Sequence, residues 1–384
     1  MTGKRRILFV NDEMKMGGVA RVLNTLMRAL PEDLYDVDLL VLHKEGMLLD
    51  EIPAKVRVFE GSPFFRTVDE PLSALVKSGK IGLILSKLRL LFYMKTGLIK
   101  KKIAGERTKI LKDHYDVEVA AKEGFCTIFT AYGDSARKVN WVLTDYSVNN
   151  YSRNHMKLVK EALQHIDLNI ADSDQALKAY MSVFSIDNGV TVHNLMDTEK
   201  VTRGMMEEED TIIHDSLLNV ITVARFHPQK GLDRLLRASK DAYIAGNPHH
   251  LYLVGGGELD DELHRLVEEL KMDHVHFLGY RSNPYALIAH CDLFVLSSLY
   301  EGFATVINES LIAGTPVLTT RVSGTEEQIT DPMYGWIVEN DQKSLTEGLK
   351  KALSSIADLE DRKRYLKHYE YDNDAVLQQF MKVL

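Results

Sequence analysis

The sequence predicts an α/β protein of two doubly wound domains, and three observations carry that prediction. The chain has 384 residues, too long for one ordinary domain and comfortable for two. Short apolar runs alternate with segments of helical periodicity through both halves. The alternation breaks once, where Glu207, Glu208, Glu209 and Asp210 follow one another, and then restarts.

The first half opens on a buried strand, Ile7 to Val10, and a polar loop, Asn11 to Gly18. An amphipathic helix follows, with Val19, Val22, Leu23, Leu26, Met27 and Leu30 on one face. A strand at Val37 to Leu42 closes a βαβ unit, which demands a parallel sheet covered by helices. Val117–Ala121, Asn140–Leu143 and Leu168–Ala171 read as further strands, with Thr191–Val192 a last short one. The second half repeats the plan with strands at Val220–Val223, Leu251–Val254, His274–Phe277, Leu293–Leu296 and Val317–Thr319. A helix near Leu232 to Ser239 follows the first of them. Each half is thus expected to be Rossmann-like. The expected division is 1–198, a linker 199–216, a second domain 217–365 and a final helix within 366–384 that crosses back to the first domain. In such sheets ligands sit at the carboxyl ends of the strands, and between two domains the natural site is a cleft.

Composition narrows the class. The chain is 45% hydrophobic and 27% charged, as soluble globular proteins are. A net charge of −8 argues against a general nucleic-acid binder. Cys126 and Cys291 both lie in apolar runs, so a reducing, cytoplasmic setting is expected. The opening MTGKRRILFVNDE has too short an apolar run for a signal peptide, and no apolar stretch approaches a membrane span.

Three segments of the second half carry chemistry. The first runs from Leu299 to Gly314. Gly302 permits a tight turn, and a helix expected to start near Phe303 points its free N–H groups back toward a ligand, favouring a phosphate. Glu301 stands before that helix, at the mouth of the site, and Glu309 about two turns inside it. Two carboxylates so placed can each bind a pair of sugar hydroxyls. Two glutamates eight residues apart arise often by chance; the surrounding strand, Tyr-Glu-Gly-Phe turn and Ala-Gly-Thr-Pro-Val close are far more specific. The second segment is Val223-Ala-Arg225-Phe-His-Pro-Gln-Lys230-Gly. Arg225 can fork onto phosphate oxygens and Lys230 adds a compact charge, which would stabilise a departing diphosphate. An isolated Arg-x4-Lys would read as surface loop. The third segment, Gly255-Gly256-Gly257, lacks the Gly-x-Gly-x-x-Gly pattern, and a tight turn explains it.

Together these segments resemble glycosyltransferase family 4, a retaining group with the two-domain GT-B architecture, from about Asn219 to Val338. The resemblance implies that Arg225 and Lys230 hold the donor diphosphate, Glu301 contacts the transferred sugar, and Glu309 binds the ribose. It implies that the loop Leu278 to Tyr280 helps hold the base. The backbone of Gly302, Phe303, Ala304 and Thr305 would touch the phosphates, with Gly255 and Gly256 nearby. In the first half, Met16-Gly17-Gly18-Val-Ala-Arg21 resembles the family's first glycine loop, which approaches donor phosphates and acceptor. His193 lies in a segment like the family's end of that domain. Many relatives carry a sugar-facing histidine where this chain has Leu143. Asp145, two residues on, is a candidate acceptor or sugar contact, or else a buried capping residue.

The resemblance implies attack by an acceptor hydroxyl on the face the diphosphate leaves, with the leaving group taking the proton. Such a reaction needs positioning and charge stabilisation rather than a carboxylate nucleophile. No metal or other cofactor is expected. Asp36-Val-Asp38 and Asp172-Ser-Asp174 match a metal-binding spacing, but strand and turn positions account for both.

Residues 77–112 hold eleven Lys or Arg and one acid, Glu106, interleaved with apolar residues. One or two basic amphipathic helices are expected there, suited to an anionic membrane surface. The function expected is transfer of a hexose or N-acetylhexosamine from a nucleotide sugar, UDP-linked, to a lipid-linked glycan or surface-polymer precursor. The enzyme would work in the cytoplasm, peripheral on the inner face of the membrane. A nucleotide-sugar epimerase of the same plan and a non-catalytic nucleotide-sugar binder are the alternatives.

Overall fold

A computed structural model describes residues 3–15, 17–68, 70–148, 151–207 and 217–384. The chain divides into two compact units, Met1–Leu195 with Asn373–Leu384, and Met196–Asp372.

The first unit is built on strands β1 (Arg5–Asn11), β2 (Tyr35–Val41), β3 (Arg57–Glu60), β4 (Val117–Ala120), β5 (Arg137–Val142), β6 (Leu168–Ala171) and β7 (Gly189–Thr191). They form a parallel sheet in the order β3-β2-β1-β4-β5-β6-β7. From Ile7 to Asn11, β1 is wholly buried, because helices cover both faces of a central parallel strand. The edge strand β3 is half exposed and carries Arg57 and Glu60, so no apolar run announces it.

The second unit holds β8 (Leu218–Val223), β9 (His249–Val254), β10 (Val275–Gly279), β11 (Leu293–Leu296), β12 (Val317–Thr320) and β13 (Gly335–Val338). Their order is β10-β9-β8-β11-β12-β13, again parallel. The order reverses between β8 and β11, the place where doubly wound sheets open a crevice. Both units are therefore Rossmann-like α/β domains.

Three expectations change. The linker expected at 199–216 begins with a helix instead, Thr198–Met205, capped by Asp197, whose carboxylate accepts from Lys200 N at 3.0 Å. It buries Val201 in the core of unit two, and Gly204 O accepts from Asn283 Nδ2 at 2.9 Å. Residues 208–216 lie outside the described residues. The return of the C-terminus to unit one starts at Asn373 rather than 366, since Leu366 and Tyr369 pack in unit two. The final helix, Asn373–Val383, sets Phe380 edge-on to Trp141 of β5, with centroids 4.9 Å apart. The basic segment forms three helices, Leu72–Ser78, Ile81–Thr96 and Ile99–Ile110, separated where Gly79 and Gly97 adopt positive φ.

Candidate functional site

Four loops leave the carboxyl ends of β10, β9, β8 and β11, which are neighbours in the second sheet. The backbone sews them together. After β9, Gly255 has φ +136°, and a Cβ there would fall 1.9 Å from Ala224 O. Only glycine lets the β8 and β9 loops touch so closely. Gly255 N donates to Gly279 O at 2.9 Å, and Phe226 N donates to Gly256 O at 2.9 Å. The loop of Leu278 to Tyr280, the glycine turn and the Arg225 loop thus form one continuous rim, with the Tyr280 ring exposed.

In the β8 loop Arg225 is exposed. His227 caps the turn Pro228–Lys230, its Nδ1 accepting from Gln229 N at 3.2 Å. Burial, then the charge of Arg225, holds His227 below the ordinary imidazole range, and Lys230 adds to this. Glu258, 3.4 Å from its Nε2, pulls the other way. The loop is a locally positive place.

The β11 loop docks directly on this turn. Leu299 N donates to Gln229 O at 2.7 Å, and Ser297 Oγ donates to Lys230 O at 2.9 Å. Lys230 Nζ donates to Glu301 Oε1 at 2.6 Å, an oxygen that Ser298 Oγ also reaches at 2.6 Å. Gln229 Nε2 donates to Tyr300 O at 2.9 Å and to Glu301 Oε2 at 3.3 Å. Glu301 is therefore buried in a hydrogen-bonded nest rather than standing at a mouth. The helix after it runs Thr305–Ile312, starting two residues later than expected, and no side chain caps its first turn. Its uncapped N–H groups are of the kind an anion satisfies. Glu309 is buried about one turn into the helix, not two. Gly302, Phe303 and Ala304 lie buried before it. Gln328 Nε2 donates to Ala304 O at 2.9 Å, and Gly324 packs so closely that a Cβ would meet Gly302 O at 2.9 Å.

Within unit two, then, Arg225, Lys230, Gly255, Gly256, Leu278, Tyr280 and Glu301 to Thr305 gather at one sheet edge, the carboxyl end. Gln229 and Ser298 belong to the same nest and escape sequence reasoning. Gln229 sits between Arg225 and Lys230, but nothing local to it signals Glu301, seventy-two residues away, as its partner.

The remaining candidates lie in unit one. Gly17 and Gly18 are exposed at the start of the helix Gly18–Ala29, and a Cβ at either meets nothing within 4 Å. Asp145 is buried, and its Oδ1 accepts from Ser147 N at 2.9 Å and Ser147 Oγ at 2.6 Å, a local turn. Leu143 N donates to Glu123 Oε2 at 2.9 Å. At the point where the first sheet reverses order, between β1 and β4, Lys122 pairs with Asp12 at 2.5 Å. Lys122 and Glu123 directly follow a strand, the one signal that could have singled them out. Of the two Asp-x-Asp pairs, Asp38 is taken by Arg57 at 2.6 Å and by Tyr115 OH at 2.7 Å. Asp172 accepts from Asn194 Nδ2 at 3.4 Å, and Asp174 sits in the first turn of a helix and accepts from Thr191 Oγ1.

Residues 208–369 match the family model described as glycosyl transferases group 1. That match lies within the second unit, Met196–Asp372. An N-acetylgalactosaminyltransferase of Campylobacter jejuni, named for an undecaprenol-diphosphate-linked acceptor, is 31% identical over 232 residues. That alignment covers 58% of this chain and 62% of the relative. LpsE of Rhizobium meliloti, a lipopolysaccharide core biosynthesis glycosyltransferase, is 34% identical over 36% of this chain and 38% of its own. The chain thus spans less than two thirds of the length of either relative. Among solved structures, Anabaena HepE in complex with UDP superposes with a TM-score of 0.69 at 18% identity, over 98% of both chains. The lipopolysaccharide glycosyltransferase WaaG gives 0.63 at 15% identity, over 97% of this chain and 98% of its own. These likenesses establish the two-domain fold.

Proposed function

We propose that the chain is a retaining glycosyltransferase of the family 4 type. It moves a hexose or N-acetylhexosamine from a UDP-sugar to a lipid-linked glycan or surface-polymer precursor. The observation that carries this reading is the Lys230–Glu301 pair, 2.6 Å apart where the second sheet reverses order. A cation and a sugar-binding carboxylate in contact suit a group that is sugar on one side and diphosphate on the other.

In this reading the β-phosphate lies between Arg225, Lys230 and the N–H groups from Gly302 to Thr305. Glu301 holds hydroxyls of the transferred sugar, Glu309 the ribose, and the Leu278–Tyr280 rim the base. In unit one, Gly17 and Gly18 form the family-type glycine loop, and Asp145, tied to Ser147, is the candidate acceptor or sugar contact. The acceptor oxygen bonds to the anomeric carbon on the face from which the diphosphate departs. The anomeric C–O bond breaks, and the departing phosphate oxygen takes the hydroxyl proton. Configuration is retained, and no protein base is needed. Lys230 and Arg225 meet the charge that grows on the leaving group, the kind of fixed electrostatic support worth roughly 10²–10³ in rate. The names of the Campylobacter and Rhizobium relatives support a lipid-linked or envelope acceptor, and UDP in HepE supports a uridine donor. Turnover proceeds without a metal, so excess chelator leaves the rate unchanged.

The enzyme works from the cytoplasm at the inner face of the membrane. No helix among the described residues is long and apolar enough to cross one. The test is a panel of UDP-sugars with polyprenyl-diphosphate-linked acceptors, following UDP release and product linkage. Transfer with retained configuration is expected. Isomerised donor without transfer would instead reveal an epimerase, and tight UDP binding without turnover a non-catalytic binder.

A further inference from the structure

The helix Ile81–Thr96 is apolar on two opposite sides. Its inner side buries Leu90 and Lys87 against unit one. Its outer side leaves Ile81 72%, Leu85 61%, Leu88 47% and Phe92 57% exposed. At 100° per residue these four fall within roughly 60° of arc, diametrically opposite Leu90. Single exposed apolar residues are ordinary; a contiguous stripe opposite a buried face is not.

The eleven cations of this segment do not share one fate. Lys87 is buried and donates to Thr67 O at 2.7 Å. Lys100 pairs with Glu161 at 3.0 Å, Lys102 and Lys109 with Glu106 at 2.7 and 3.1 Å, and Arg107 with Glu118 at 2.5 Å. Lys112 donates to Thr108 O at 2.8 Å. Lys77, Lys80, Arg89, Lys95 and Lys101 are exposed, with no carboxylate partner among the described residues; Arg89 lies over the Phe64 and Tyr93 rings, 5.7 and 5.9 Å from their centroids. The first four bracket the stripe: Lys77 and Lys80 at one end, Lys95 at the other, and Arg89 on its flank.

We infer that this stripe inserts into an anionic phospholipid bilayer, with Ile81, Leu85, Leu88 and Phe92 below the headgroups and the four cations among the lipid phosphates. Charge complementarity selects the occupant: an apolar strip ringed by cations without carboxylate partners fits an anionic interface, and repels an identical copy. The inference deepens the inner-face reading above by changing the dominant force. With six of the eleven cations already held by carboxylates or carbonyls, attachment rests mainly on apolar burial. It is therefore partly resistant to salt, whereas a purely electrostatic patch is screened away.

The full-length chain is tested with phosphatidylglycerol/phosphatidylcholine vesicles. In Phe92→Trp, the emission of the introduced indole shifts to the blue on adding these vesicles, and brominated lipids quench it. Leu85→Ser with Phe92→Ser lowers vesicle partitioning about tenfold or more for each residue, with an unchanged Tm, since both side chains are exposed. Wild-type binding persists in part at about 0.5 M salt, well beyond the screening range of surface charge. An emission spectrum of Phe92→Trp that vesicles leave unchanged, vesicle binding unaffected by the double serine variant, or complete release by salt would each overturn insertion. So would a stripe variant that only converts a dimer to monomer. None of these measurements needs a donor sugar, so failure of the glycosyltransfer reading and failure of insertion are separable.

Discussion

At the level of single residues, the site turns on a contact that spans seventy-one positions. Lys230 and Glu301 meet because β8 and β11 are adjacent and parallel, so their following loops leave the same edge. Removing Lys230 leaves Glu301 with Ser298 and Gln229 but no cation, and removing Glu301 takes from Lys230 the carboxylate it donates to. On the proposed reading, in which the Lys230 charge matters most as the diphosphate leaves, Lys230→Ala lowers kcat/KM by about 10²–10³, chiefly through kcat. Glu301→Ala should cripple transfer while the variant still binds UDP; near-wild-type turnover would remove Glu301 from the sugar site. The glycine turn offers a different check. Gly255→Ala puts a methyl 1.9 Å from Ala224 O at a φ of +136°, strain of about 2 kcal/mol or more, which should lower Tm by roughly 4–8 °C. In Gly256→Ala the methyl would meet only the Asp260 carboxylate, at 3.3 Å, and Tm should hardly move. Calorimetry of the two variants separates a backbone requirement from a merely glycine-rich turn.

At the level of elements, central strands are readable because a parallel strand buried on both faces is a short unbroken apolar run. Ile7 to Val10 and Leu293 to Leu296 are of this kind. Edge strands β3 and β13 escape because their residues are only partly covered. The helix Thr305–Ile312 begins two residues later than its pattern suggests, since Gly302, Phe303 and Ala304 prolong the loop and no Ser, Thr, Asp or Asn cap marks the boundary. The final helix is a stronger case for structure over sequence. Its periodicity shows an amphipathic helix but not the surface it covers. Phe380 is fully buried against Trp141, so Phe380→Ala should cost about 3–5 kcal/mol, felt in unit one. Hydrogen exchange should show the loss across β5 and β6 and spare β8 to β11.

At the level of the whole molecule, acid sensitivity is built into unit two, at the sheet end away from the site. His249 and His274 are buried there, flanking Ser239. His249 Nδ1 donates to Asn247 O at 2.8 Å, so its neutral ring accepts from Ser239 Oγ through Nε2 at 2.8 Å. His274 Nε2 then donates to the same hydroxyl at 3.1 Å. A proton added to His249 Nε2 would collide with the hydroxyl proton. Burial holds both rings below the ordinary imidazole range, His274 at about 3. A lowered histidine pKa means that the unfolded chain binds protons first. The stabilisation is complete above the unfolded pKa of about 6.5 and is lost as pH falls from there toward 3. Tm should therefore decline steadily below pH 6.5, and His274→Phe should flatten that decline. A wild-type Tm that stays level from pH 7 to pH 4.5 would contradict this assignment.

Local patterns in the chain are enough to assign the class of both units, the strands at their centres and the loop residues that gather at the carboxyl edge of the second sheet. Apolar run length, helical period, and glycine or charge directly after a strand carry all of that information. Which of those residues touch is a matter of three-dimensional packing. Packing buries Glu301 on Lys230, ties Asp145 into its own turn, holds six of the eleven cations on carboxylates or carbonyls and leaves an apolar stripe of the helix Ile81–Thr96 uncovered. Burial and pairing depend on neighbours distant in the chain, and no local pattern encodes them.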